Sequence, residues 1–221
     1  MRRPCAWHGQ GYQMSASNDG KNTKQRILDT AAASFRNNGL AFTSMADLAK
    51  IAGVKTSSIY YYFPSKDALI EETFRIGIEL VHSSVVEAVE ALGPNASHRD
   101  RIKAAMVAHM SALLGENDYS SANIKNYSHA SIAVREKNRV VRAQYGRYWM
   151  SLLKAAQQDG VIAKDVNLSV TRMLLIGAMN WATEWYAPDG SPIAEIAACL
   201  CRMVDGLREP ESVMGSKVSA A

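Results

Sequence analysis

The sequence predicts an all-α protein. Apolar stripes with the 3.6-residue period recur from Thr23 to Leu207, alternating period-2 segments flanked by turn residues are scarce, and Gly, Pro and Asn mark the ends of successive stripes. The 221 residues, 48% apolar and 21% charged, suffice for one or two small domains. No repeat of about 20 to 50 residues is apparent.

The elements follow in order. Thr23 can cap a first helix whose Ile27, Leu28, Ala31, Ala32 and Phe35 share one face, and Asn37-Asn38-Gly39, tolerant of left-handed backbone, ends it. Thr43 or Ser44 can cap a second helix over 45–51, closed by Gly53, and Thr56 or Ser57 a third reaching about Phe63. Pro64 breaks the chain, and Ser65 can cap a long fourth helix from Lys66 to about Leu92. Beyond Gly93-Pro94-Asn95, the residues Ile102, Ala105, Met106, His109, Met110 and Leu113 form the face of a fifth. A short helix is expected over 120–130 and a long one over 131–158, closed by Asp159-Gly160. The last two span 168–186, stopped by Pro188-Asp189-Gly190, and 192–207, with Ser191 as cap and Pro192 in the first position. Residues 1–20 are expected to be a disordered arm, or in part an extension upstream of a true start at Met14, and 210–221 a frayed tail.

Composition removes several function classes. Three cysteines, Cys5, Cys199 and Cys201, are too few and odd in number for a disulfide scaffold, which favours a reduced, cytoplasmic compartment. The longest apolar candidate, 166–186, is interrupted by Asn167, Thr171, Arg172, Asn180 and Glu184, so no membrane span is expected. Residues 1–13 lack the apolar stretch of a signal peptide. His82, His98, His109 and His129 have no Cys, Asp or Glu partner at metal-ligand spacing, and Cys199 and Cys201 point to different sides of a helix, so neither a metal nor a cofactor is expected. Without a Gly-rich phosphate loop, a Ser/His/Asp set or a carboxylate pair, an enzyme, for example one acting on acyl-CoA, is a poor reading.

The charge is uneven. The total is +4, from 25 Lys and Arg against 21 Asp and Glu. Residues 1–66 hold nine basic and three acidic side chains, a net +6, and the other 155 residues hold 16 and 18, a net −2. A basic end on a nearly neutral body suits a polyanion-binding module; the plain alternative is a solvated basic face.

Residues 43–66, TSMADLAKIAGVKTSSIYYYFPSK, carry the strongest motif. Two short helices crossing at a tight turn need a small residue at the approach, a turn residue with positive φ and apolar anchors for the second helix. Ala49, Gly53, Val54 and Ile59 supply these in order, leaving Thr56, Ser57, Ser58, Tyr61 and Tyr62 for phosphate oxygens and base edges. With Lys24 to Leu28, Ala31-Ala32, Phe35, Gly39 and the block Ile59 to Leu69, the stretch resembles the DNA-binding domain of TetR-type transcriptional regulators over about 47 residues. The resemblance implies an N-terminal three-helix helix-turn-helix domain (21–67), a C-terminal helical effector-binding and dimerisation domain (68–209), and a homodimer on a palindromic double-stranded operator. It implies DNA contacts from Thr43, Ser44, Lys55, Thr56, Ser57, Ser58, Tyr61, Tyr62 and Lys66, with Tyr60 partly packed; Thr43 and Thr56 as mere caps and Lys66 as a solvated charge stay open.

In the body, the Trp181 to Gly190 segment with Glu195-Ile196-Ala197 resembles TetR-type members that answer to acyl-CoA thioesters of fatty-acid or sterol catabolism. Residues 125–147 add six basic side chains against one acid, with Arg135, Arg139 and Arg142 at i, i+4 and i+7 on one helix face, suited to phosphates. Met106, Met110, Leu113, Tyr148, Trp149, Leu152, Met179 and Trp181 are expected to line the acyl site, although an ordinary core explains such a set equally well. Met173, Leu174, Gly177, Ala178, Ile193, Ala197 and Leu200 are the expected dimer contacts. The expected function is a ligand-responsive repressor released from its operator by a hydrophobic effector, foremost an acyl-CoA. The alternatives are a repressor answering to another hydrophobic molecule, or a helical protein anchored on DNA without an effector.

Overall fold

In the computed structural model, residues 19–115 and 117–206 are described, and their regular structure is helical throughout. Helix α1 (Asp19–Asn38) stops where Gly39 takes a φ of +79°, a left-handed geometry that side chains with a Cβ avoid. Thr23 lies inside α1 and does not cap it. A reciprocal capping box opens α2 (Met45–Ala52): the Asp47 N–H donates to the Ser44 hydroxyl oxygen at 3.1 Å, and the Ser44 N–H donates to the Asp47 carboxylate at 3.3 Å. Gly53, at φ +65°, closes α2 and turns the chain into α3 (Thr56–Tyr62), with the Val54 N–H on the Ala49 carbonyl at 2.9 Å. Lys55 holds the N-cap position of α3 without a side-chain bond, so neither Thr56 nor Ser57 is a cap. Ser65 caps α4 (Lys66–Glu90) through the Ala68 N–H.

The body comprises α5 (His98–Leu114), α6 (Asp118–Asn126), a 3₁₀ turn (Tyr127–His129), α7 (Ile132–Gln158), α8 (Leu168–Trp185) and α9 (Ile193–Asp205). All six residues of the expected α5 face are buried. Pro192 is the N-cap of α9 and no side chain caps it, which corrects the expectation for Ser191. Residues 1–18 of the expected arm, Leu207 and the expected tail lie outside the described residues. Among those described, no helix is long and apolar enough to cross a membrane.

Two apolar cores meet along α4. The first joins Ile27, Phe35, Leu48 and Ile59 to Leu69 and Phe74 of α4 and Ala122 of α6. The second joins Val85 of α4 to Met106, Met110, Trp149, Leu153, Met179, Ala182, Ala197 and Val204. Phe35 and Trp149 are fully buried, and truncating either to Ala is expected to cost about 3–5 kcal/mol.

Helix α6 bridges the two ends. A Cβ on Gly77 would fall 2.5 Å from the Tyr119 carbonyl oxygen, so only glycine permits this approach of α4 to α6. Asn126 of α6 serves the end of α1: its amide donates to the Phe35 carbonyl at 2.8 Å, and its oxygen accepts the Leu40 N–H at 3.1 Å. The Tyr119 hydroxyl donates to Asp29 at 2.6 Å, and Arg36 meets Asp118 at 2.6 Å.

Candidate nucleic-acid interface and ligand cavity

The sequence of α3 divides its faces. Ile59 is fully buried, and Tyr62, three residues later on the same face, packs partly against the first core. Tyr61 is 83% exposed, with its ring edge-on to Tyr62 at 5.1 Å, and Tyr60 is half exposed. Tyr60 is thus partly packed, as expected, whereas Tyr62, expected as a DNA contact, turns furthest towards the core. Lys55, Thr56 and Ser57 are exposed at the start of α3 and Ser58 is half-buried beside them. With Tyr61 they form a surface of hydroxyls, one ammonium and an aromatic ring.

The other expected DNA contacts fare differently. Thr43 is 3% exposed and its hydroxyl donates to the Gly39 carbonyl at 2.9 Å, so the side chain ties the α1–α2 turn and does not face a phosphate. Ser44 is exposed, but its hydroxyl hydrogen goes to the Asp47 carboxylate at 2.6 Å. That bond and the one from the Ser44 N–H hold the Asp47 carboxyl below its ordinary range. Lys66 donates to the Leu40 carbonyl at 2.5 Å, which pins its ammonium against the same turn while two N–H donors remain. Phe42, 85% exposed in that turn, was not anticipated; its only signal was an aromatic residue between two turn segments. Lys24 is drawn towards Glu72 and the Phe63 ring, which leaves Arg26, Lys50 and Lys55 without an ion pair among the described residues.

A cavity of about 460 Å³ lies between α4, α5, α6, α7 and α8, within the range of small-molecule sites (roughly 300–1,000 Å³). Ile78, Val81, Leu113, Ile124 and Ile176 give it apolar walls. Three cations reach it, Arg139, Arg142 and Arg172, and no Asp or Glu is among the described lining residues. Arg142 lies 4.0 Å over the Tyr127 ring and donates to Asn123 Oδ1 at 3.2 Å. Burial lowers its pKa, since no carboxylate compensates the charge. Arg172 lies across Gly146, in the space a Cβ would occupy, and its Nε is buried without a hydrogen-bond partner. Exposed Arg139 is paired with Glu136 at 3.2 Å.

A second group of polar side chains in the same cavity is uncharged. His109 is buried, with Nδ1 2.6 Å from the Tyr145 hydroxyl and Nε2 3.1 Å from Asn180 Oδ1. Burial pushes the imidazole down to about 4, with the Asn180 bond opposing that shift, so the ring is neutral at pH 7. Burial also raises the Tyr145 phenol, an effect countered in part by the nearby Trp149 indole. A neutral ring that donates from Nε2 to Asn180 Oδ1 accepts from Tyr145 at Nδ1, and this turns the two amide N–H donors of Asn180 away from His109. Asn180 lines the cavity.

Of the expected effector residues, Leu113, Arg139 and Arg142 line this cavity. Met106, Met110, Trp149 and Met179 are fully buried in the second core, and Tyr148 and Leu152 pack against that core, so these six fill space instead of lining the cavity. Arg135 does not reach it, and Trp181 is 66% exposed on the outer face of α8. The sequence reading missed His109, Tyr145, Arg172 and Asn180. The only signal for them was polar residues set within apolar helical faces.

That outer face of α8 carries exposed Val170, Met173, Leu174, Trp181 and Trp185, at i, i+3, i+4, i+11 and i+15, with exposed Gly177 and Ala178 between them. Ala197 is 0% exposed and belongs to the second core, and Ile193 and Leu200 pack partly against it, so these α9 residues turn inward, contrary to expectation. Met173 and Gly177 belong both to the outer face and to the cavity wall.

Comparison with known proteins gives two family matches. Residues 27–73 match the model of bacterial regulatory proteins of the tetR family, and residues 95–205 match a tetracyclin repressor-like C-terminal domain. The HTH-type transcriptional repressor KstR2 of Rhodococcus jostii (strain RHA1) is 24% identical over 194 residues, 86% of this chain and 93% of that protein. The fatty acid metabolism regulator protein of Bacillus subtilis (strain 168) is 21% identical over 165 residues, 74% and 84% of the two chains. Among solved structures, AibR in complex with isovaleryl coenzyme A and operator DNA superposes with a TM-score of 0.72 at 22% identity, covering 85% of this chain and 99% of that one.

Proposed function

The chain belongs to the tetR family of bacterial regulatory proteins and is a DNA-binding transcriptional regulator, and from that premise we propose a homodimeric repressor released from its operator by an anionic, largely apolar effector, foremost an acyl-CoA thioester. The observation that carries the effector class is the cavity of about 460 Å³, with apolar walls, three arginines and no carboxylate among the described lining residues. Arg142 and Arg172 are partly buried with no carboxylate among the described residues beside them, which is costly, and a bound phosphate or carboxylate would offset that cost with charge-assisted hydrogen bonds. The apolar walls take the acyl chain, and the arginines take phosphate oxygens. The complex of AibR with isovaleryl coenzyme A supports this assignment.

The dimer forms through the exposed apolar face of α8, and it sets two copies of α3 about one helical turn of DNA (~34 Å) apart. Lys55, Thr56, Ser57 and Tyr61 read the groove and its phosphates. Coupling runs through α6, which lines the cavity with Ser120, Asn123 and Ile124 and holds α1 through Tyr119 and Asn126. An anion that draws Arg142 from Asn123 removes one restraint on α6, and a shift of α6 moves α1 and with it α3. The effector thus favours the state with the wrong spacing.

Fluorescence polarisation on labelled upstream intergenic DNA, with octanoyl-CoA, palmitoyl-CoA, free coenzyme A and octanoate added separately, tests the proposal. Release by a thioester at concentrations where coenzyme A and octanoate have no effect supports it. Release by octanoate alone replaces the effector with a simple carboxylate. Binding that is indifferent to sequence and to every metabolite leaves only a DNA anchor.

A further inference from the structure

We propose that Asn180, oriented by His109 and Tyr145, recognises an uncharged acceptor oxygen on the acyl half of the effector, either the thioester carbonyl or a keto or hydroxyl oxygen on the chain. This rests on the acyl-CoA reading above. The arginines account for the anionic half of such a ligand, but they do not explain a neutral amide held in place on the cavity wall beside Ile176.

The direction of the hydrogen bonds makes the case. His109 is buried and bonded at both ring nitrogens, to Tyr145 at 2.6 Å and to Asn180 Oδ1 at 3.1 Å. With the Asn180 oxygen taken by His109, the side of the amide left for the cavity is its NH₂, a pure donor. Tyr145 in turn stacks on His109, with ring centroids 5.9 Å apart and 12° between planes, which fixes the imidazole that fixes the amide. A plain alkyl chain against this amide would leave donors unpaired, a loss of about ten- to a hundredfold in affinity. An acceptor oxygen meets them. Asn180 is then a specificity-determining residue, and His109 and Tyr145 are positioning residues.

The full-length protein is titrated by calorimetry with octanoyl-CoA, its thioether S-octyl-CoA, which lacks the carbonyl, and 7-oxooctanoyl-CoA. A thioester reader binds octanoyl-CoA about tenfold more tightly than S-octyl-CoA; a chain-oxygen reader prefers 7-oxooctanoyl-CoA over octanoyl-CoA by a similar factor. In Asn180→Leu, and in Asn180→Asp, which keeps the acceptor for His109 but removes both donors, the ratio falls to about one. Tyr145→Phe reduces the ratio partially, an effect that loss of stability alone would not produce. Wild-type ratios near one, or ratios that persist in both Asn180 variants, overturn the inference and leave the effector class intact. If none of the three compounds binds, the acyl-CoA reading falls and this inference falls with it.

Discussion

The guanidinium of Arg172 lies across the Cα of Gly146, in the space that any larger residue would fill with its Cβ. The charged wall of the cavity thus depends on a residue that carries no charge. Gly146→Ala displaces the flexible end of an arginine and not a backbone, so its stability cost is expected to stay within about 1 kcal/mol. Affinity for the thioester should fall about tenfold with operator affinity unchanged, measured by calorimetry and by polarisation on DNA. Unchanged thioester affinity would remove Arg172 from the site.

Gly77→Ala presents the opposite case, because its Cβ would meet the Tyr119 carbonyl, which belongs to the backbone of α6. Overpacking of this kind is expected to cost about 1–3 kcal/mol. Thermal denaturation should show a melting point lower by roughly 2–4 °C per kcal/mol for a chain of this size. The DNA response should change too, since α6 also holds α1.

Tyr61→Ala and Ile59→Ala separate reading from folding on one short helix. Tyr61 projects into solvent and Ile59 is fully buried. Tyr61→Ala is expected to abolish operator binding while stability changes by no more than about 0.5 kcal/mol. Ile59→Ala is expected to cost about 2–5 kcal/mol in chemical denaturation. Lys55→Ala should weaken binding to all sequences and, with one Lys55 from each subunit on the operator, reduce the salt slope of log K by about two. An unchanged slope would mean that Lys55 meets no phosphate.

His109 makes stability depend on pH. Its folded pKa, about 4, lies below the unfolded value near 6.5, so the unfolded chain binds the extra proton first. The contribution is full above pH 6.5 and is lost as the pH falls towards 4. Between pH 7 and pH 5 the loss is about 2 kcal/mol, and His109→Gln should lack that component in urea unfolding at the two pH values. Burial lowers His82 as well, in the same direction, so a smaller histidine-linked slope remains in the variant.

The sequence by itself determined the helices and the reading head. Ser44, Gly53 and Ser65 act within a few residues of where they stand, through caps and a left-handed turn, and the buried face of α5 is a periodicity any helix must present. Only the tertiary structure decided which way Thr43 and Tyr62 point, because the packing of α3 and of the α1–α2 turn against the first core settles that direction. It also decided the cavity. Arg139 and Arg142 were legible as a stripe on one helix, whereas Arg172, His109, Tyr145 and Asn180 come from three helices and meet only when those helices cross. A cap or a stripe is a relation between neighbours in the chain; a cavity is a relation between elements, and its polar groups are fixed by partners dozens of residues away.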